Sequence, residues 1–308
     1  MASSPKRLLS VLALLGVLFG LGLCASVLVV GLRLSSPVPA LVGPPSPRWP
    51  DAETVNIPSA SGSTLRGWWF PAPVTGGGTI VLMHGVRANR LQMAARARVL
   101  HGQGFSVLLF DFQAHGESPG RRITFGKLES LDAAAAVRFA RERRPHDRIA
   151  VIGVSLGGAA ALLGPEQPVA DAVILESVYP DIDAALSNRL RVNLGRVVGT
   201  LLTPLLTPMF ELILPPIIGV APSELRPIDT IRKVNVPILI ASGTADAYTP
   251  LAEAKALFAQ AREPKQFWAV DGAGHVDLES YNPTQYWSII LPFLDRYVKQ
   301  PPGRSSAP

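Results

Sequence analysis

The sequence predicts an α/β fold: one mainly parallel sheet of eight strands with helices on both faces. Three observations carry that expectation. Short runs such as Thr79–Met83, Ser106–Phe110 and residues 148–154 are apolar without alternation, as strands buried on both faces must be. Helix-compatible stretches separate most of them, and parallel neighbours need crossovers of that kind. Once the N-terminal segment is set aside, about 250 of the 308 residues remain, which suits a single α/β domain with a substantial core.

Along the chain, residues 8–32 form a run of 25 residues without a charge. As a helix that run is about 37 Å long, enough to cross a hydrocarbon core of about 30 Å with some tilt. A signal peptide is the competing reading, but its apolar region spans only about 7–15 residues and ends at a small-x-small site. Here the run continues through Val27, Leu28, Val29 and Val30, past the best candidate site at Cys24 and Ala25. Leu23 also stands where a lipobox wants a small residue. The expectation is an uncleaved membrane anchor over 1–34. Lys6, Arg7 and the α-amino group precede the run, against Arg33 and the more distant Arg48 after it. The positive-inside bias puts the N-terminus in the cytoplasm and the domain across the membrane, in a single pass. The proline-rich stretch 35–50 reads as an unstructured linker, and the small polar tail 301–308 as disordered.

The folded domain is expected over 51–300. Residues 54–57 and 65–70 flank a Ser-Gly-Ser turn and read as a hairpin. Strands then alternate with helices: strand 79–83, helix 89–102, strand 106–110, and an Ala-rich helix at 125–143. Strand 148–154 runs into a small-residue helix at 158–163, and strands 172–175, 237–241 and 266–270 complete the set. Helices at 250–261 and 283–298 close the domain. No internal repeat is visible.

The formal charge of +6 invites a search for an anionic partner. The arginines are scattered through helical regions such as 87–98 and 138–148, and no basic run interleaves with aromatics. That is a solvated basic surface, so no nucleic-acid partner is expected. The sole cysteine, Cys24, lies in the apolar leader, so no intrachain disulfide can form. No Gly-x-Gly-x-x-Gly follows a strand and no P-loop is present, which disfavours nucleotide cofactors.

Ligands of such sheets bind outside the carboxyl ends of the strands. There the chain carries Gly153-Val154-Ser155-Leu156-Gly157. Roughly one chain in six of this composition shows Gly-x-Ser-x-Gly by chance, so the pattern counts only in its setting. Its setting is a strand running directly into a helix, where small neighbours let a serine project from a tight turn. A serine hydroxyl needs a base to take its proton. His275, in Gly272-Ala273-Gly274-His275 after the last strand, is the candidate base. Asp246, in Gly243-Thr244-Ala245-Asp246, is the candidate group that orients the imidazole and stabilises its charged form. Glu176, ending strand 172–175, is its rival. The backbone N–H groups of Val86 and Leu156 are the natural oxyanion donors, Leu156 also opening a helix with its positive dipole end nearby. His84 reads as structural or pocket-lining. Asp111 and His115, in Asp-Phe-Gln-Ala-His-Gly-Glu-Ser, read as loop-stabilising.

Strand-His84-Gly85, the 111–118 loop, Gly-x-Ser-x-Gly-Gly, Gly-x-x-Asp and Gly-x-Gly-His together resemble the α/β-hydrolase superfamily. Within it, the chain is most similar to short-capped serine hydrolases related to the serine aminopeptidase group and to membrane-bound acylglycerol lipases, lysophospholipases and acyl-protein thioesterases. The resemblance covers about 54–298. It implies a Ser155, Asp246, His275 triad in the order usual for that superfamily, with no metal or organic cofactor. One departure is Gln113, where such proteins often carry Arg, a change that touches loop packing more than catalysis.

Residues 178–226 are too long for a simple connection and read as an inserted cap. Residues 197–223 hold one charge, Glu211, and five prolines, Pro204, Pro208, Pro215, Pro216 and Pro222. Two readings stand, separately or together: a cap packed over the site, and a lid whose apolar face meets the bilayer. The prolines argue against a second spanning helix. The functional expectation is a serine hydrolase that cleaves an ester or thioester of a lipid-like or small acyl substrate through an acyl-serine. The alternatives are a peptidase or acyltransferase on the same triad, or a non-catalytic membrane-associated binding protein.

Overall fold

Strand residues that are apolar on both sides build the centre of the sheet. The computed structural model describes residues 5–47, 49–165, 169–275 and 277–299. The tail 301–308 and Arg48 lie outside them. Eight strands form one sheet: β1 Glu53–Pro58, β2 Thr64–Phe70, β3 Thr79–Met83, β4 Ser106–Phe110, β5 Ile149–Val154, β6 Ala172–Glu176, β7 Ile238–Gly243 and β8 Lys265–Val270. Their order is β8-β7-β6-β5-β3-β4-β2-β1. All neighbours from β8 to β4 are parallel, and only the expected hairpin partner β2 runs antiparallel to its neighbours.

The two-fold alternation of strand side chains divides the core. Ile80 and Leu82 of β3 pack with Met93, Leu100 and Phe293 on one face. Val81 and Met83 pack with Ala133, Ala136 and Ala160 on the other. The helices that supply these partners include α2 (Ala94–Gly102), α3 (Lys127–Arg143) and α4 (Leu156–Leu163), with α7 (Pro283–Tyr297) near the end of the chain. The stretch expected as one helix from 89 divides, a 3-10 turn at Arg90–Met93 preceding α2 and Asn89 accepting from Leu91 N–H at its start. The helix after β5 begins at Leu156, directly after the turn at Ser155 and two residues before the small-residue run at 158–163.

The N-terminal apolar helix, α1, spans Pro5–Ser35. In its first half Leu12, Leu15 and Leu18 are each more than half exposed, whereas its last turns dock: Val27 is buried with Leu206, Phe210 and Leu214. Residues 35–50, expected as an unstructured linker, are instead strapped onto the domain. Val38–Pro39 pair with His115–Gly116. Val42 and Gly43 donate to Glu117 Oε1, and Trp68 Nε1 donates to Gly43 O. Trp49 stacks edge-on against Trp68 and Phe70. Proline-rich composition marks a chain with no ladder of its own, not one without partners, and the contacts that hold this one come from residues far away in sequence.

The insertion forms a helical hairpin, α5 (Ile182–Leu194) and α6 (Arg196–Ile218). Asp181 caps α5 by accepting from Ala184 N–H. The two helices cross so closely that a Cβ on Gly199 would meet the Arg191 backbone. Contrary to expectation, Pro204, Pro208, Pro215 and Pro216 do not break α6, which is continuous over 23 residues. Each proline removes one backbone bond, but packing against α5 and α1 holds the helix together. Gly31 of α1, for example, faces Ile217 and Leu214. By length and composition α1 and α6 are both apolar enough to cross a membrane, although a third of the α6 segment is buried against the protein. Leu206, Phe210 and Leu214 of α6 face inward while Leu201, Leu205 and Leu212 remain exposed.

The central strands set the stability of this frame. Ile152 is fully buried in β5, and Ile152→Ala is expected to lower the free energy of unfolding by about 2–5 kcal/mol, measured by urea denaturation.

Candidate active site

The turn from β5 into α4 is made of backbone pressed on backbone. A Cβ on Gly153 would lie 2.5 Å from Gly158 N. One on Gly157 would strike the Met83 carbonyl, and one on Gly158 the Val178 side chain. Ser155 adopts φ 50° and ψ −107°, a left-handed φ that costs a non-glycine residue about 1–3 kcal/mol. Ser155 N–H donates to Glu176 O at 2.8 Å, tying the turn to β6. The residue is 3% exposed, and Oγ has no hydrogen-bond partner among the described residues.

Asp246 leaves β7 and His275 follows β8, at the same edge of the sheet. His275 Nδ1–H donates to Asp246 Oδ2 at 2.9 Å. Thr249 Oγ1 donates to the same oxygen at 2.6 Å, and the backbone N–H groups of Tyr248 and Thr249 donate to Oδ1. Burial pushes the Asp246 carboxyl up, but the bonds from His275 and Thr249 outweigh it and hold the group below its ordinary value. The carboxylate is thus charged and aimed at the ring, leaving Nε2 as the free nitrogen. His275 and Ser155 line one cavity of about 220 Å³ with Gly85, Val86, Arg189 and Tyr248. A second, apolar pocket of about 70 Å³ adjoins it through Val86 and Arg189. Leu156, Phe125, Ile182, Ala185 and Leu186 line that pocket, and so does Leu34 from the end of α1.

Glu176, the sequence rival to Asp246, is spent elsewhere. It is buried in a network in which Arg96 Nη2 donates to Oε2 at 2.7 Å and Tyr286 Oη to Oε1 at 2.6 Å. Arg96 also donates to Asp277 Oδ2 at 2.6 Å. His84 is equally committed: Nδ1 bonds Gly85 O, and Nε2 accepts from Phe112 N–H. Burial, with His115 adding to it, pushes its pKa down to about 3, so the ring stays neutral. His115 accepts from Arg87 N–H and bonds Gln113 O. Asp111 is held by Arg90. Gln113 fills a packing role, donating to Arg122 O and Glu129 Oε1.

Comparisons with known proteins agree with this architecture. A family model described as serine aminopeptidase, S33, matches residues 76–210. The uncharacterized protein Rv2307c of Mycobacterium tuberculosis is 34% identical over 249 residues, covering 80% of each chain. The chain belongs to the α/β-hydrolase superfamily. The α/β-hydrolase domain-containing protein WAV2 of Arabidopsis thaliana is 28% identical over 260 residues and 80% of each chain. Among solved structures, the Pyrococcus furiosus esterase Pf2001 superposes with a TM-score of 0.68 at 23% identity, over 85% of this chain and 98% of that one. The α/β-hydrolase GrgF of Penicillium superposes with a TM-score of 0.63 at 19% identity, over 80% and 98%. At such identities the structural likeness speaks for the fold alone.

Within this α/β-hydrolase site, sequence reading missed Thr249, Tyr248 and Arg189. Thr249 had a signal, since Asp followed three residues later by Thr is a side-chain-capped turn. Arg189 had none, because a cap residue reaches the sheet edge only through the fold. The ionic network beside the site yields a stability prediction. Arg96→Met leaves Glu176 buried without its cation and is expected to cost about 3–5 kcal/mol, seen as a lowered thermal midpoint.

Proposed function

We propose that this protein is a serine hydrolase that cleaves an ester or thioester of a lipid-like acyl substrate through an acyl-serine. The observation that carries the reading is that His275, paired with Asp246 at 2.9 Å, lines the same cavity as Ser155, whose buried Oγ has no partner among the described residues. In this reading Ser155 Oγ attacks the acyl carbon and His275 Nε2 takes its proton. Asp246 holds the imidazole in the tautomer with Nε2 free and stabilises the imidazolium. Negative charge gathers on the carbonyl oxygen, and the N–H groups of Val86 and Leu156 receive it. As the first residue of α4, Leu156 has no intrahelical partner for its N–H, and the helix dipole adds to the attraction. Collapse expels the alcohol or thiol with the proton from His275. Water, deprotonated by the same base, then releases the acid and restores Ser155.

The apolar pocket through Val86 and Leu156 supplies an acyl site, and this supports a lipid-like substrate over a polar one. The chain is proposed to be anchored in a membrane by α1, with its N-terminus cytoplasmic and the domain on the opposite side. The exposed leucines of α6, which packs on the docked end of α1, belong to the same membrane-facing surface in this reading.

A fluorophosphonate probe should label the wild type and fail to label Ser155→Ala, and the same change should reduce ester turnover by about 10⁴-fold. Equal labelling of both would end the assignment. For the membrane reading, the full chain should stay in the membrane pellet after alkaline extraction, whereas Leu12, Leu15 and Leu18 changed to Lys should release it. In that released form, Leu201, Leu205 and Leu212 changed to Ser should weaken liposome binding; binding that does not change removes α6 from the membrane surface.

A further inference from the structure

The two fully buried arginines among the described residues are paired, and a third, half-buried one is not. Arg90 lies between Asp111 and Glu117, and Arg96 between Glu176 and Asp277. Arg189, which lines both the catalytic cavity and the apolar pocket, forms no ion pair among the described residues. Of its five N–H donors, one reaches Ala185 O at 3.2 Å, a carbonyl of its own helix. Its guanidinium carbon lies 5.8 Å from the centre of the Tyr248 ring, and that ring is 5.4 Å from the His275 ring. Burial pushes the guanidinium below its ordinary value, against the pull of Tyr179, Tyr248 and Asp246. A partly desolvated cation with most of its donors unused is costly to keep. Such a group is expected where an incoming anion completes it.

The acids nearby do not fill that role. Asp246 is committed to His275 and Thr249, and Asp277, also on the cavity wall, to Arg96. Arg87 adds a second cation on the wall of the apolar pocket, its Nη1 donating to Arg33 O at 3.1 Å and its charge unpaired among the described residues. The site thus joins an apolar recess to a positive rim beside the base that protonates the leaving group.

We propose that Arg189 is a specificity residue that binds an anionic oxygen group, carboxylate or phosphate, on the leaving-group side of the scissile ester while the acyl chain occupies the apolar pocket. The planar fork of a guanidinium suits two oxygens of either group. This inference rests on the serine-ester reading above and narrows its substrate class to anionic acyl esters.

The test is a matched series of octanoyl esters of glycerol, glycerol 3-phosphate and glycolate, assayed for kcat/KM in the wild type, Arg189→Met and Arg189→Lys. At least one anionic ester should be preferred to the glycerol ester by the wild type, and the one preferred separates phosphate from carboxylate. Arg189→Met should lower the anionic-to-neutral ratio by about 10- to 100-fold, the scale of a lost charge-assisted hydrogen bond. Arg189→Lys should restore part of it as a point charge, which also guards against a mere folding loss. A wild type without that preference, or a ratio that Arg189→Met leaves unmoved while fluorophosphonate still labels Ser155, overturns the inference alone. A wild type that neither takes the probe nor hydrolyses any of the three esters overturns the parent reading and this inference with it.

Discussion

The turn around Ser155 is a packing constraint before it is a chemical device. Three backbone segments meet there with no room for side chains: the end of β5, the start of α4 and the Met83 carbonyl of β3. Glycine at 153, 157 and 158 is what lets α4 start directly at the sheet edge. That closeness forces Ser155 into its strained φ and turns its hydroxyl toward the cavity. The Gly85-Val86 loop is set by the same contact, since Met83 precedes it. Gln92 Oε1 then fixes that loop by accepting from Gly85 N–H at 2.7 Å.

Around this turn the protein separates charges that hold from a charge that waits. Glu176 and Asp246 both stand at strand ends, yet they have opposite surroundings. Glu176 is enclosed by Arg96 and Tyr286 and has no access to the imidazole. Asp246 is cradled by the donors of Tyr248 and Thr249, which keep it ionised while its outer edge meets His275. The difference lies in which helix packs beyond each strand end. Arg96 comes from α2 and Tyr286 from α7, residues 190 apart in sequence that converge beside β6.

The insertion and the N-terminal helix share a physical logic as well. α5 contributes Ile182, Ala185, Leu186 and Arg189 to the walls of the apolar pocket, and Arg189 also to the cavity that holds Ser155 and His275. α6 lies outside it and packs on α1. The docked end of α1 supplies Leu34 to the apolar pocket and offers Ser35 O to Ile123 N–H at 2.8 Å. The segment that leads into the domain is therefore part of the site's wall, and the strap at 35–50 holds it there.

Much of this was legible in the residues. Apolar runs without alternation gave away a parallel sheet because burial on both faces leaves no polar position. Gly153, Ser155 and Gly157 named the turn, and the order of Asp246 and His275 after later strands placed them at one edge, because parallel strands all end on one side. Local rules failed where partners are distant. The strap at 35–50 has the composition of a connector, and distant partners, His115–Gly116, Glu117, Trp68 and Phe70, give it a fixed place. The prolines of α6 argue for breaks in an isolated helix, and only the flanks of α5 and α1 make it continuous. The pairing of His275 with Asp246 rather than Glu176, and the lack of an ion pair at Arg189 among the described residues, were likewise decided in tertiary structure, because the energy of a charge depends on what surrounds it in space.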